Sequence, residues 1–276
     1  MVQGLRESEK RIQSYEQAMY ELYAEQSKIE TDEYLQAHSH NLAVMRRDTG
    51  IFERYCQFIP TSGTMLDWGC NHAPTSCLVR MLRGDALRLY GCDVHTSRFQ
   101  AFFQFANLEY AQLRHPYLLP YEDASFDAVI GTAVLEHVPN DSESLKELYR
   151  VLKPDGILVI TTLPNRYSYT EGLNRILRRP HHLRIYSLKQ TRHMLLHHGF
   201  LPIKFGYHQA FPSLCSVGGI FSSSLLNRLV DSLTIRAGIA ERIWPFRCFS
   251  SNVFVVSKKV SGLDNHDFDI AKRRRR

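Results

Sequence analysis

Apolar positions in the first sixty residues recur at helical spacing. In SEKRIQSYEQAMYELYAEQSKIE, the residues Ile12, Tyr15, Met19, Leu22 and Tyr23 fall on one face of a helix. A second helical run, HNLAVMRRDTGIFERYCQFI, stops before Pro60 and the turn PTSG. From Met65 the pattern changes to short apolar runs alternating with amphipathic stretches. TMLDWG, SCLVRMLRG, LRLYGCDV and SRFQAFFQFA come first, followed by FDAVIGTAV, SESLKELYRVLKP, GILVITTLP, SLKQTRHMLLHHG, LPIKFGYH and SSNVFVVSKK. Alternating strand and helix signals predict a doubly wound, mainly parallel α/β sheet covered on both faces.

Three regions follow. Residues 1–60 form an N-terminal helical extension suited to act as a lid. Residues 61–260 form the α/β domain, with an insert at about 209–248, and residues 261–276 form a basic tail. No charged residue occurs between Lys204 and Arg228, but Pro212, paired glycines and a serine run make this a poor membrane span. It reads either as a buried connection plus a helix or as a cover over an apolar pocket.

Composition narrows the function only slightly. The chain has 276 residues, 44% of them hydrophobic, enough for one large domain. Its N-terminus is charged where a signal peptide needs an apolar stretch, and its six cysteines make no C-x-x-C pair. A reducing, cytoplasmic setting is expected, with peripheral membrane contact left open and no metal site signalled by the cysteines. The net charge is +6, and five of the positive charges sit at Lys272–Arg276. Such a tail is a solvated end or a weak contact for an anionic surface. No basic face with interleaved aromatics signals nucleic acid, so RNA as a substrate would rest on the tail alone.

The stretch TMLDWGCNHAPTS begins like a nucleotide-binding turn and then departs from it. Gly69 stands where G-x-G-x-x-G begins, but Asn71 and Pro74 occupy the second and third glycine places. A pyrophosphate site, and with it a nicotinamide enzyme, is disfavoured. Asn tolerates positive φ best among non-glycine residues and Ala is the next smallest, so Asn71 and Ala73 can keep the turn. Asp93 ends the next strand, in YGCDVH, where a carboxylate can accept two ribose hydroxyls.

Further on come LPYEDASFDAVI, LEHV and ELYRVLKPDGILVI. With these segments the chain resembles the class I S-adenosylmethionine-dependent methyltransferases, small-molecule, methyltransferase type 11-like, over about residues 60–208 and the strand at 251–258. The resemblance implies a seven-stranded Rossmann-like fold and S-adenosyl-L-methionine as cofactor. It places Asp67, Gly69, Cys70, Asn71 and Ala73 at the methionine end, Asp93 at the ribose, His115 at the adenine side, and Gly131 and Thr132 beside the cofactor. Pro116, which has no N–H, follows His115.

Methyl transfer needs alignment, exclusion of water and, for a hydroxyl acceptor, removal of a proton. His137, in LEHVPN, is the candidate base, set against a purely structural role for Glu136 and His137 in ordering the loop. His181, His182, Tyr167, Tyr169 and Arg184 follow the fifth strand, where an acceptor pocket would lie, and the cluster Arg178, Arg179, Arg184 reads as a solvated loop or as a partner for an acidic acceptor or a phosphate. His197 and His198 read as helix-end residues, and His38 and His40 as lining residues if the first helices form a lid. The expected activity is methylation of a small-molecule or lipid-like acceptor at oxygen. The alternative is a catalytically inactive cofactor-binding regulatory or partner protein on the same fold.

Overall fold

The computed structural model describes residues 2–29, 42–95, 99–178, 182, 184–208 and 250–261. The expected insert, the basic tail, His38, His40, Arg179 and His181 lie outside these residues.

Seven strands form one sheet: β1 (Gly63–Trp68), β2 (Leu87–Asp93), β3 (Leu108–Gln112), β4 (Phe126–Thr132), β5 (Leu152–Pro164), β6 (Phe200–His208) and β7 (Asn252–Lys259). Their order is β3-β2-β1-β4-β5-β7-β6. Neighbours from β3 to β5 pair in parallel, while β7 runs antiparallel to both β5 and β6. The described helices are α1 (Val2–Ile29), α2 (Leu42–Tyr55), α3 (Pro74–Arg83), α4 (Gln100–Ala106), α5 (Asp141–Val151), α6 (Tyr169–Ile176) and α7 (Leu188–His197).

The central strands are apolar at consecutive positions because each face of the sheet has its own cover. Met65, Leu89, Ala128, Ile130, Val159 and Val256 point into one core, with Cys77 and Val79 of α3 and Phe102 of α4. Leu66, Val129, Leu158, Ile160 and Val255 point into the other, with Leu145 and Leu148 of α5 and Leu195 of α7. The two-residue alternation of a strand turns one continuous apolar run into two buried faces.

The first helices belong to this core. Tyr15, Met19, Leu22 and Tyr23 of α1 and Phe52 of α2 are buried with Met65 and Phe102. Arg11 grips Glu53 with two bonds, Nε to Oε1 at 3.0 Å and Nη2 to Oε2 at 2.6 Å, fixing α1 on α2. The Gln26 side chain accepts the backbone N–H of Ala101 at 3.0 Å, tying the end of α1 to α4.

Two elements lack a clear sequence signal. β3, LEYAQ, has no apolar run, since it is an edge strand with partly or fully exposed positions throughout. α5 ends at Val151, earlier than the helical pattern through Pro154 indicates. Leu152 pairs with Phe126 and the register shifts before Ile157 pairs with Ala128, while Asp155 takes φ 64°. Pro154 disfavours helical geometry in the residue before it, so the chain turns into β5.

β1 feeds β2 and β3 on one side, and β4 begins the other half of the sheet. The crevice above β1 and β4 is the switch point where this class of sheet binds ligands. The chain leaving β4 is pinned by the start of α5, where Asn140 accepts the N–H groups of Ser142 at 3.0 Å and Glu143 at 3.3 Å. Asn140→Ala is expected to cost about 1 kcal/mol of unfolding free energy in urea, the usual loss for removing such a cap. An unchanged midpoint and slope would show that the cap contributes nothing.

Candidate functional site

The turn after β1 uses the left-handed region three times. Gly69 has φ 67°, Asn71 φ 46° and Ala73 φ 57°. Asn71 and Ala73 therefore do the conformational work of the missing glycines. The shape is reinforced by Gly69 and Cys70, whose N–H groups both reach the carbonyl of Cys92 at 2.8 and 3.1 Å. Ala73 precedes Pro74, the first residue of α3, and offers no side-chain cap.

Asp67 supplies the missing acceptor. Its carboxylate is buried at the end of β1, and Oδ2 accepts both the backbone N–H of Ser76 at 3.2 Å and its hydroxyl at 2.6 Å. Negative charge at a helix start is favoured by the dipole, but burial opposes ionisation more strongly. Burial, with a smaller push from the charge of Asp93, raises the Asp67 pKa to about 7 against the pull of the Ser76 bonds.

Asp93 faces the same crevice from the end of β2. Oδ2 accepts the N–H of Asn71 at 2.9 Å and Oδ1 that of His95 at 3.3 Å. Each oxygen retains acceptor capacity for a hydroxyl, because a carboxylate offers about four lone-pair sites. The turn and the acid are thus one unit, and a ligand gripping Asp93 also presses on Asn71. Below the turn, Tyr23 of α1 meets the buried His72 ring at 2.7 Å between Oη and Nε2.

Of the remaining sequence-predicted positions, Cys70, Gly131 and Thr132 lie at the same strand ends and His115 on a loop of its own. Gly131 packs so closely on Trp68 that an added Cβ would lie 2.7 Å from its ring. Thr132 lies at the end of β4, 3.5 Å from Thr75 between hydroxyl oxygens. Cys70 is buried and its thiol is pushed well up by burial. His115 is exposed and turned on its own loop, with Nδ1 accepting the N–H groups of Tyr117 at 3.1 Å and Leu118 at 3.0 Å.

Beyond β4, the LEHV segment carries a second constellation. Ala133 takes φ 55° and gives its N–H to Thr161 at 3.0 Å, folding the chain sharply back. Arg184 braces the loop through the carbonyls of Val138 at 2.7 Å and Pro139 at 3.0 Å, and Tyr186 adds a bond to Leu135 at 3.2 Å. Arg184 is therefore a brace, although its charge pointed towards an acidic acceptor. The side chain of Glu136 is 2% exposed and that of His137 is 66% exposed. Burial lifts the Glu136 pKa to about 7, and it lowers that of His137 with help from nearby His182. His182 is held by Glu171, whose Oε1 is 2.8 Å from Nδ1.

His198 is structural, with Nδ1 on the Met194 carbonyl and Nε2 on the Ser142 hydroxyl, each at 2.7 Å. Ser76 and Glu171 gave no sequence signal. Ser76 is an ordinary residue in a helix's first turn, and Glu171 lies in a short helix outside every quoted motif.

Residues 66–160 match the family model described as a methyltransferase domain. The chain is 34% identical over 136 residues to a Mycolicibacterium smegmatis protein named "Probable S-adenosylmethionine-dependent methyltransferase", covering 49% of this chain and 51% of that one. It is 38% identical over 90 residues to the demethylmenaquinone methyltransferase of Streptomyces avermitilis, covering 27% of this chain and 39% of that one. The chain thus spans about half, or less, of the length of these relatives. In fold it resembles geranyl diphosphate C-methyltransferase from Streptomyces coelicolor, with TM-score 0.53, 12% identity and coverage of 78% of this chain and 79% of that one. It also resembles the [4+2]-cyclase SpnF, with TM-score 0.51, 17% identity and coverage of 78% and 82%.

Ser76→Ala removes a donor from a buried carboxylate. It is expected to cost about 1–3 kcal/mol of stability at pH 7. The loss should be smaller at pH 5, where Asp67 is protonated. Equal losses at both values, read by urea unfolding, would mean that the bond does not depend on the charge of Asp67.

Proposed function

We propose that the chain, which matches the methyltransferase-domain model through residues 66–160, is a class I S-adenosylmethionine-dependent methyltransferase that methylates a small-molecule or lipid-like acceptor at oxygen. The observation that carries the reading is the pair of buried acids, Asp67 and Asp93, at the ends of neighbouring strands and joined through one turn. Two acids at a switch point suit a cationic nucleoside, whereas a dinucleotide pyrophosphate would be repelled.

S-adenosylmethionine, when bound, supplies a methyl group already activated on a sulfonium. The chain's residues then have three tasks. Asp93 holds the ribose hydroxyls through the acceptor capacity left beside Asn71 and His95. Asp67 receives the ammonium of the methionine end, which favours its charged form. The Gly69–Ala73 turn, with its three left-handed residues, lets backbone come close to the ligand. No pyrophosphate needs cradling, so the turn works with a side chain at Asn71.

The acceptor enters from the side of the LEHV loop and the chain after β5, where Glu136, His137 and His182 gather. The name of the Streptomyces avermitilis relative, a demethylmenaquinone methyltransferase, supports an apolar acceptor. The uncharged stretch after Lys204 supports it too, though its residues from 209 onward lie outside those described. Among the described residues no helix is long and apolar enough to cross a membrane.

Calorimetric titration with S-adenosylmethionine and S-adenosylhomocysteine, followed by transfer of a labelled methyl to phenolic, quinol and isoprenoid-alcohol acceptors, tests the proposal. Both cofactor forms should bind in the micromolar range, and Asp93→Ala should weaken them by roughly tenfold or more. Labelled product should carry the methyl on oxygen. No binding at millimolar ligand, or binding with no transfer to any acceptor, would contradict it. The latter result would favour the cofactor-binding partner protein.

A further inference from the structure

We propose that Glu136, His137 and His182 bind a divalent first-row transition ion of the zinc class, with Glu171 holding His182 in place. One ligand atom from each of the three residues lies within 4.8 Å of the others. Glu136 gives the strongest reason. Its side chain is 2% exposed, and among the described residues Oε2 is buried with no hydrogen-bond partner. A carboxyl oxygen removed from water and left unpaired is costly, and a cation in front of it removes the cost.

The two histidines supply the rest of the donor set. The His137 Nε2 is 3.8 Å from Glu136 Oε1, and the rings of His137 and His182 are 5.9 Å apart between centroids. Glu171 is buried, and its Oε1 takes Nδ1 of His182 while Oε2 accepts the same residue's backbone N–H at 3.2 Å. With a proton on Nδ1, the Nε2 lone pair is free for a ligand role. A carboxylate behind a histidine is the outer support of many metal sites.

Two imidazoles select zinc and its neighbours over magnesium or calcium, which prefer oxygen. Bonds of about 2 Å bring ligand atoms to roughly 3.3 Å from one another, and rotation of the exposed His137 with a small movement of its loop towards His182 closes the gap. Three protein ligands leave a fourth position open, as in a catalytic and not a structural zinc site. The loop is already braced by Arg184 and Tyr186, so little ordering is needed. His182 and Glu171 lie outside residues 66–160, so the site depends on a part of the chain that the family match does not reach.

The test uses the full chain, stripped with a chelator and titrated with Zn²⁺ and, separately, with Co²⁺. Metal content and the visible absorption of bound Co²⁺ are the readouts. One ion should bind and be lost on Glu136→Gln or on His182→Ala, while both variants keep the parent unfolding midpoint and S-adenosylhomocysteine affinity. Glu171→Gln should weaken the ion by about 10–100-fold, the usual effect of removing an outer support. No bound ion, or an ion held equally well by the His182→Ala and Glu136→Gln variants, would overturn the site. Binding is read without any methyl transfer, so either result is independent of the proposed reaction.

Discussion

A buried carboxylate at the end of the first strand governs this structure. Asp67 stands where the sheet divides, at the start of a helix whose N-cap is an alanine with no acceptor of its own. Its bonds to Ser76 fasten α3 to β1 and set the path of the intervening turn. The same burial holds the pKa at about 7, above the ordinary carboxylate range. The folded chain therefore holds a proton that the unfolded chain has lost between about pH 4 and 7. The stability contributed by protonated Asp67 declines as the pH rises through that window. In the proposed reading a ligand ammonium would offset that burial and favour the charged carboxylate.

The second acid makes the arrangement a site and not merely a cap. Asp93 holds Asn71, so the left-handed turn is clamped from the neighbouring strand as well as by Asp67. From below, α1 brings Tyr23 against His72 and Phe102. The N-terminal helices are thus part of the support of the turn after β1, and their aromatic face is buried with the sheet. In the proposed reading the β1–β2 edge serves the nucleoside and the loops after β4 and β5 serve the acceptor.

How much of this was legible depends on whether the information was local. The helix–strand alternation was, because each central strand is apolar on both faces. Asn71 and Ala73 were legible as glycine substitutes, since the cost of positive φ is a property of the single residue. Edge strand β3 was not, because its partly exposed positions carry no apolar run. Ser76 was invisible because its importance lies in a carboxylate nine positions earlier. His182 was one of several histidines until folding brought Glu171 beside it. Arg184 read as part of a solvated loop or as an anion partner, because charge is visible in sequence but the carbonyls of Val138 and Pro139 that it bonds are set by tertiary structure.

The central claim is that Asp67 is kept partly protonated until a cationic ligand arrives. Calorimetry of S-adenosylhomocysteine binding at pH 7, in buffers that differ in ionisation enthalpy, measures this directly. With a carboxyl of pKa about 7 and a ligand ammonium that favours its charged form, up to about half a proton should be released per chain. Asp67→Asn should abolish the release. Proton uptake, or a binding heat that does not change with buffer, would contradict the account.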